Sequence, residues 1–341
     1  MIVEDYKIAL KDLLAEYEQV CYVVDRRVYA LFPLSLDNCL PVDCSEKNKS
    51  LGTVTQIWDF FLEQGMTRRG VVVCIGGGVL TDIAGFAAAT YKRGMDYINI
   101  PTTLLAMIDA SSGGKTGINY HGLKNAIGAF APPAATLIWS GWLHSLPAEQ
   151  MLSGFAEMLK TALIAPTPND LWHRLLQYDL ERMDIDEMTP LIKDCVAVKE
   201  QIVAADPKEE GLRKVLNFGH TFGHAFEEIQ MVHGTSVHRT FLHGYAVLYG
   251  MIAELYLSVV KAGCPKEPLQ QLTRLMLHAY GRPNCKCSDR ERLIAFMQQD
   301  KKNERAAQIN CTLIHNIGSP VINQIITPDE ANEALDYLFS L

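Results

Sequence analysis

The stretch that decides the fold is Val71-Val72-Val73-Cys74-Ile75-Gly76-Gly77-Gly78-Val79-Leu80-Thr81-Asp82. Its apolar, mostly β-branched first half predicts a buried strand, and the glycines predict a tight turn into a helix whose first turn contains Asp82. Glycine permits positive φ and close backbone approach, and the N–H groups at a helix start favour a pyrophosphate. Because the glycine order differs from G-x-G-x-x-G, the turn fits either a nucleotide site or a structural turn, and Asp82 fits an N-terminal cap equally well.

Segments typical of strands and helices alternate on both sides of this stretch, up to about Pro147. Strands are predicted for 19–24, 71–75 and 97–100, and helices for 51–64 and 82–91. This alternation predicts a mostly parallel sheet covered by helices, which binds ligands at the carboxyl ends of its strands. From Ala148 onward helical periodicity dominates, with a helix end at 166–168 and a loop over 231–242.

Length, composition and charge limit the class of protein. With 341 residues, 48% of them hydrophobic, the chain suits two domains with large cores. A net charge of −8 argues against nucleic-acid binding, because phosphates require a basic surface. The apolar stretch 244–260 contains Glu254 and predicts a buried helix, so we expect no membrane partner. Residues 1–7 form neither a basic nor an apolar segment, so we expect no secretory signal. Nine cysteines without a CxxC pair predict reduced thiols and a cytoplasmic protein.

Two strings in the second half carry metal-ligand residue types. LNFGHTFGHAFE places His220 and His224 four residues apart, and SGFAEMLK places Glu157 three residues before Lys160. Residues at these spacings share a helix face, so each string aims two polar groups at one point. Imidazoles with a carboxylate suit a divalent metal, and spacing alone nominates His224 as the second ligand. A packing role for either histidine stays open.

The two halves therefore predict different domains. We expect an α/β, Rossmann-like nucleotide-binding domain over residues 1–147. A mainly α-helical domain that binds metal and substrate is expected over residues 148–341, with the cleft between the two as the default site.

Further polar residues follow the early strands. The string DASSGGKT from Asp109 to Thr116 lacks the first glycine of a P-loop, which leaves a flexible loop bringing Asp109 and Lys115 together, with Lys124 and Asn125 close behind. Surface solvation explains Lys124 equally well. Asp25 ends a predicted strand, where a carboxylate either accepts from a ribose hydroxyl or caps a turn.

The ordered motifs of the chain resemble those of sugar-phosphate cyclases, in particular the 3-dehydroquinate synthase family. From Glu46 to Lys302 they are EKNK, GGGVLTD, RG, PTTLL, Asp109 with GGKT, KN, IGAF, SGFAEMLK, GLRKVLNFGHTFGHAFE and DKK. The resemblance implies a phosphate-eliminating carbon–oxygen lyase of the shikimate pathway, which supplies chorismate and aromatic amino acids. Its reaction converts 3-deoxy-D-arabino-heptulosonate 7-phosphate to 3-dehydroquinate and phosphate. It also implies catalytic NAD, a divalent metal, zinc before cobalt, and a homodimer.

The resemblance further implies roles for individual residues. The metal ligands are expected to be Glu157, His220 and His243, with His233 and His238 as rivals for the third position. Only His243 starts an HGxAV string. The expected substrate contacts are Arg93, Asp109, Lys115, Asn125, Lys160, Lys199, Arg213, Asn217, His224 and Lys301. The expected NAD contacts are Asp25, Glu46, Lys49, Gly77, Gly78, Val79, Leu80, Thr81, Asp82, Thr102, Thr103, Lys115, Lys124, Trp142, Leu143, His144 and Ser145.

Two of these assignments carry qualifications. Arg93 is expected to reach the phosphate pocket of a partner subunit, and the choice between Lys301 and Lys302 stays open. Tyr245 stands where the family commonly has an acidic residue, close to the expected metal. The rival functions are another sugar-phosphate cyclase, such as 2-deoxy-scyllo-inosose synthase, and a metal-dependent polyol dehydrogenase. Lys199 and Arg213 favour a substrate that carries a carboxylate, because a guanidinium fork matches that group.

Overall fold

The computed structural model describes residues 1–32, 34, 36–121, 123–233, 242–285, 287–299, 303 and 308–341. Within these ranges the chain divides into two compact units, Met1–Pro147 and Ala148–Leu341. The predicted fold class is confirmed, since the first unit holds a parallel sheet with helices and the second is mainly helical.

The first unit is built on a five-stranded parallel sheet, whose strands lie side by side in the order Cys39–Val42, Val20–Asp25, Val71–Gly76, Asp96–Pro101 and Ala135–Thr136. The strands are β1 (Val20–Asp25), β2 (Cys39–Val42), β3 (Val71–Gly76), β4 (Asp96–Pro101), β5 (Lys115–Tyr120), β6 (Leu123–Phe130) and β7 (Ala135–Thr136). The helices are α1 (Tyr6–Leu14), α2 (Arg26–Leu31), α3 (Leu51–Glu63) and α4 (Gly78–Thr90). Short 3-10 turns lie at Glu46–Asn48, Tyr91–Arg93 and Ser140–Ser145, and a π-helical turn lies at Ala106–Ala110.

The strand–turn–helix prediction around the glycines is confirmed with one change. All of β3 is buried, as expected for a central parallel strand. Helix α4 begins at Gly78 rather than near Asp82, with Gly77 as its N-cap, because Leu80 and Ile83 are already packed into the core. The alternative role of Asp82 as the N-cap is therefore wrong.

A β-hairpin replaces the loop that was predicted to follow Asp109. Strands β5 and β6 pair in antiparallel fashion. A Cβ atom on Gly117 would lie 2.6 Å from the carbonyl oxygen of Ile127, and one on Gly128 would lie 2.2 Å from that of Thr116. These glycines are required by the close approach of two strands, whereas in the sequence they look like loop residues.

The second unit consists of helices and one hairpin. The helices are α5 (Ala148–Ile164), α6 (Leu171–Gln177), α7 (Ile185–Ala205), α8 (His220–His233), α9 (His243–Lys261), α10 (Lys266–Leu275), α11 (Arg290–Gln299) and α12 (Pro328–Ser340). Short 3-10 turns lie at Leu212–Asn217 and Cys287–Asp289, and a π-helical turn lies at Met276–Tyr280. The hairpin of β8 (Ile309–Asn316) and β9 (Ser319–Ile326) was not predicted. Helix α8 continues to His233, so residues 231–233 of the loop predicted over 231–242 are helical, and residues 234–241 lie outside the described ranges.

Helix α9 is the central element of the second unit and packs against α5, α8, α12 and β8. It is long and apolar enough to cross a membrane by composition alone, but 72% of its apolar window is buried inside the protein. The prediction of a buried helix is confirmed.

Two glycines allow α9 to touch the backbones of its neighbours. A Cβ atom on Gly244 would lie 1.8 Å from the carbonyl oxygen of Ser153 in α5. One on Gly250 would lie 1.9 Å from the carbonyl oxygen of Gly219, just before α8. Any side chain at either position would push the helices apart.

We expect Gly250→Ala to lower the free energy of unfolding by about 1 to 3 kcal/mol, because the new methyl group overpacks against backbone. Gly52→Ala in α3 is the matched control, since its Cβ would meet nothing closer than Ser50 Oγ at 3.7 Å. There the alanine should be neutral or stabilising by up to about 1 kcal/mol. Urea unfolding of both variants measures the difference, and equal midpoints would contradict the packing argument.

Candidate functional site

Three side chains from three helices of the second unit converge on one point. Glu157 Oε1 lies 3.7 Å from His220 Nε2 and 3.5 Å from His243 Nε2. Among the described residues they form the single group of histidine, cysteine and acidic side chains compact enough to hold a metal ion. Tetrahedral ligands about 2.1 Å from a zinc ion stand about 3.4 Å apart, so the donor set fits a divalent cation.

Hydrogen bonds fix the orientation of both imidazole rings. His220 donates its Nδ1–H to the carbonyl oxygen of Phe218 at 3.1 Å. His243 donates its Nδ1–H to Glu227 Oε2 at 3.3 Å. In both rings Nε2 is therefore the nitrogen available to a cation. Hydrogen bonds of this kind, from the other ring nitrogen to a neighbouring acceptor, are typical of metal-binding histidines. Glu227 was not predicted, although it lies seven residues after His220 on the same face of α8.

The charge of the cluster is balanced within the protein. Lys160 Nζ lies 2.5 Å from Glu157 Oε2, and both side chains are buried. Burial lowers the pKa of His243, but the charges of Glu227 and Glu157 outweigh burial and raise that pKa to about 10. Without a cation this ring is protonated at neutral pH, so a cation that binds here displaces a proton.

Glu254 holds the start of α8, and with it His220, in place. This fully buried carboxylate of α9 accepts hydrogen bonds from the N–H groups of Gly219 at 2.7 Å and Thr221 at 3.2 Å. A carboxylate at this position satisfies N–H groups that a helix start leaves unpaired and complements the helix dipole. In the sequence Glu254 was recognised only as an interruption of an apolar stretch.

His224 is not part of the group formed by Glu157, His220 and His243, although its spacing from His220 had predicted it as a metal ligand. Its ring lies edge-on to that of His220, with the ring centroids 5.5 Å apart. Tyr245, the departure from the family pattern, packs its ring against buried Tyr280 at 5.0 Å, and Tyr280 donates its hydroxyl to the carbonyl oxygen of Leu152. The tyrosine is thus part of an aromatic contact that leaves the three candidate ligands together.

The remaining expected substrate contacts of the second unit that the structure describes lie on α7 and on the 3-10 turn at Leu212–Asn217. Lys199 and Arg213 are buried, and Arg213 Nη1 donates to the carbonyl oxygen of Pro207 at 2.7 Å. Asn217 Nδ2 donates to Glu209 Oε1 at 2.9 Å. Asp206 accepts from the backbone N–H of Arg213, and such backbone bonds lower its pKa. Lys301, Lys302 and His238 lie outside the described residues, as does the side chain of His233.

In the first unit the glycine turn and the threonines after β4 lie side by side. The N–H of Thr102 donates to the carbonyl oxygen of Gly76 at 3.0 Å. A Cβ on Gly77 would lie 3.1 Å from Thr103 Cγ2, and one on Gly78 would lie 2.8 Å from the Cβ of Ala110. The expectation of positive φ is wrong for Gly76, Gly77 and Gly78. Glycine is required here because neighbouring side chains lie too close to leave room for a Cβ atom.

Lys49, Asp82 and Asn125 meet although they come from three segments. Lys49 Nζ lies 2.5 Å from Asp82 Oδ2 and donates to Asn125 Oδ1 at 2.5 Å, and Lys49 is only 5% exposed. Lys115 and Lys124 stand on β5 and β6 of the adjoining hairpin.

Several expected cofactor contacts are core residues. Trp142 and Leu143 are buried, and the Trp142 ring packs among Tyr6, Phe32 and Trp139. Leu80 and Thr81 are buried in α4. Contact of these four residues with the cofactor stays a prediction. His144 is exposed, and the Ser145 hydroxyl donates to the carbonyl oxygen of Trp142.

Three other expected site residues lie in turns. Asp25 is the N-cap of α2 and accepts from the N–H of Arg27 at 2.8 Å, in agreement with its alternative as a turn residue. Asp109 lies in the π-helical turn after β4. Arg93 is exposed, and Lys92, Arg93 and Gly94 all have positive φ angles. This conformation is costly for residues other than glycine and is frequent at functional sites.

Comparisons with known proteins agree on one family. The family descriptions "3-dehydroquinate synthase N-terminal" and "3-dehydroquinate synthase C-terminal" match residues 39–153 and 154–303. A 3-dehydroquinate synthase from Parabacteroides distasonis is 40% identical over 99% of this chain and 96% of its own length. One from Halorhodospira halophila is 38% identical over 85% of this chain and 80% of its own length.

Solved structures show the same fold. A 2-epi-5-epi-valiolone synthase from Streptomyces hygroscopicus with NAD+ and Zn2+ bound superposes with a TM-score of 0.86 at 28% identity, over 100% of this chain and 96% of that one. A 2-deoxy-scyllo-inosose synthase superposes with a TM-score of 0.84 at 22% identity, over 98% and 95% of the two chains. The matches to both parts of the family and to its curated members establish that this chain belongs to the 3-dehydroquinate synthase family.

Proposed function

We propose that this protein is a 3-dehydroquinate synthase. It converts 3-deoxy-D-arabino-heptulosonate 7-phosphate to 3-dehydroquinate and inorganic phosphate as a carbon–oxygen lyase of the shikimate pathway. The observation that carries the proposal is the 40% identity to a 3-dehydroquinate synthase along almost the whole of both chains. The convergence of Glu157, His220 and His243 supports it independently, because that donor set suits the metal such a reaction needs.

The two units divide the work in this proposal. The first unit binds NAD at the carboxyl ends of its strands, through the glycine turn, Glu46 and Lys49. The second unit binds the metal, with zinc before cobalt, and the sugar-phosphate substrate. When bound, the cation supplies a Lewis acid and NAD supplies a reversible hydride acceptor. The similar valiolone synthase that contains both NAD+ and Zn2+ supports this cofactor pair.

Buried cations of the second unit prepare it for an anionic substrate. Lys160, Lys199 and Arg213 are almost fully buried. A substrate with a carboxylate and a phosphate carries the opposite charge, so we expect these three side chains to attract it. Arg213 Nη1 donates to the carbonyl oxygen of Pro207, and the planar shape of a guanidinium group suits a carboxylate.

We place the protein in the cytoplasm as a homodimer, with Arg93 reaching the partner's phosphate pocket. The eight cysteines whose side chains are described are free thiols, which suits a reducing compartment. Burial raises the pKa of Cys39 to about 11, so this thiol stays protonated and unreactive. The exposed, left-handed turn at Arg93 supports a role outside its own core.

Phosphate release from the heptulosonate phosphate with trace NAD tests the function. We expect release that a metal chelator abolishes and added zinc restores, with no net reduction of NAD because the cofactor is regenerated. Sedoheptulose 7-phosphate, which lacks the carboxylate, should release little phosphate. A preference for this substrate would indicate a different cyclase, and stoichiometric reduction of NAD by a polyol would indicate a dehydrogenase.

We expect Glu227→Gln to weaken zinc binding by about 10- to 100-fold. The neutral amide oxygen still faces the Nδ1–H of His243, but the negative charge that orients this ring is lost. Glu267→Gln is the control, since Glu267 accepts from Gln271 on the exposed face of α10. Competition with a chromogenic chelator measures both affinities. Equal affinities for the two variants would remove Glu227 from the metal site.

His224 is the proposed proton carrier, because imidazole exchanges protons near neutral pH and this ring lies beside His220. We expect His224→Ala to lower kcat by about 100-fold, as is usual for loss of an acid–base group, while zinc remains bound. The exposed His278→Ala is the control and should leave kcat unchanged. Full turnover in His224→Ala would eliminate this role.

A further inference from the structure

The hairpin of β5 and β6 is irregular at the point where it carries Asn125. Ile118 pairs with Ile127 and Tyr120 pairs with Leu123, so Asn119 alone faces three residues of β6, among them Asn125. Such a bulge takes backbone groups out of the strand ladder and re-aims side chains. Asn125 has a φ of 50°, in the left-handed region, so its conformation needs support from its neighbours.

The side chain of Asn119 supplies that support and reaches a second segment. Its Oδ1 accepts the N–H of Asn125 at 2.9 Å. Its Nδ2 donates to Glu46 Oε1 at 2.8 Å. The backbone N–H of Asn119 also donates to the carbonyl oxygen of Lys49 at 2.8 Å. One residue therefore joins the bulge to the turn that carries Glu46 and Lys49.

The connection closes into a ring on its other side. Lys49 Nζ donates to Asn125 Oδ1, so Asn125 is held both through its backbone N–H and through its side chain. The same ammonium group is paired with Asp82 of α4. Displacing Asn119 would therefore disturb a carboxylate, a lysine and an amide that come from separate segments.

We propose that Asn119 is a positioning residue that orients Glu46 for NAD and Asn125 for the substrate. The inference rests on the proposed function, because it takes those two contacts from it. Asn119 itself was not among the expected site residues. Its two amide atoms serve different partners, so the two effects are separable: the donor Nδ2 acts on Glu46, and the acceptor Oδ1 acts on Asn125.

Two substitutions separate these effects. Asn119→Asp keeps an acceptor for the N–H of Asn125 but loses the donor and sets a carboxylate against Glu46. It should raise the Kd of NAD by about tenfold, the usual size for one lost bond to a charged group, and leave the KM of the heptulosonate phosphate within about twofold. Asn119→Ala loses both bonds and should raise both values by about tenfold.

Asn169→Ala is the matched control for loss of a bridging asparagine. Asn169 donates to the carbonyl oxygens of Ala165 and Pro166 and accepts from the N–H of Leu171, so all of its partners belong to the second unit. This variant should lose thermal stability to a degree comparable with Asn119→Ala while its NAD affinity and KM stay unchanged. If Asn119 had a purely structural role, Asn119→Ala would likewise lose thermal stability and keep its NAD affinity and KM unchanged.

Titration of NAD by quenching of protein fluorescence, together with steady-state phosphate release, measures all three variants. NAD affinities within about twofold of the unsubstituted protein for both Asn119 variants would overturn the inference. Absence of phosphate release from the unsubstituted protein would instead overturn the proposed function. The binding titration needs no turnover, so the two failures are distinguishable.

Discussion

Backbone contact between α9 and its neighbours α5 and α8 is the constraint on which the candidate metal centre depends. Gly244 and Gly250 bring α9 so close that a Cβ would lie within 2 Å of a carbonyl oxygen of Ser153 or Gly219. His243 begins α9, His220 begins α8 and Glu157 lies one turn after Ser153 in α5. The three donor atoms can therefore meet only because two positions between the helices have no side chain.

Buried carboxylates stabilise this arrangement, because each is matched to a specific partner. Glu157 pairs with Lys160, Glu227 accepts from His243, and Glu254 accepts from the backbone at the start of α8. An unmatched buried charge costs several kcal/mol, so these partners select one packing of the helices.

The parts of this organisation that depend on a local pattern of residues could be predicted from the sequence. The apolar run before Gly76 predicted β3, and SGFAEMLK and GHTFGH marked the helices that carry Glu157 and His220. The choice of His243 over His224 was not available from spacing, since His243 stands on a different helix. It came from the resemblance to a family.

What the sequence did not reveal depends on contacts between distant segments. Glu227 and Glu254 are ordinary helix residues until the position of α9 is known. Gly117 and Gly128 look like loop residues until β5 and β6 are paired. Asn119 gained its role only from a bulge in that pairing, which no local pattern specifies.

Anomalous X-ray diffraction at the zinc edge, from crystals of the zinc-loaded protein, locates the bound cation relative to the three helices. We expect a peak about 2 Å from a Glu157 oxygen and from Nε2 of both His220 and His243. A zinc ion bound elsewhere on the chain, or a Glu157 side chain turned away from both imidazole rings, would contradict a metal centre formed by these three residues.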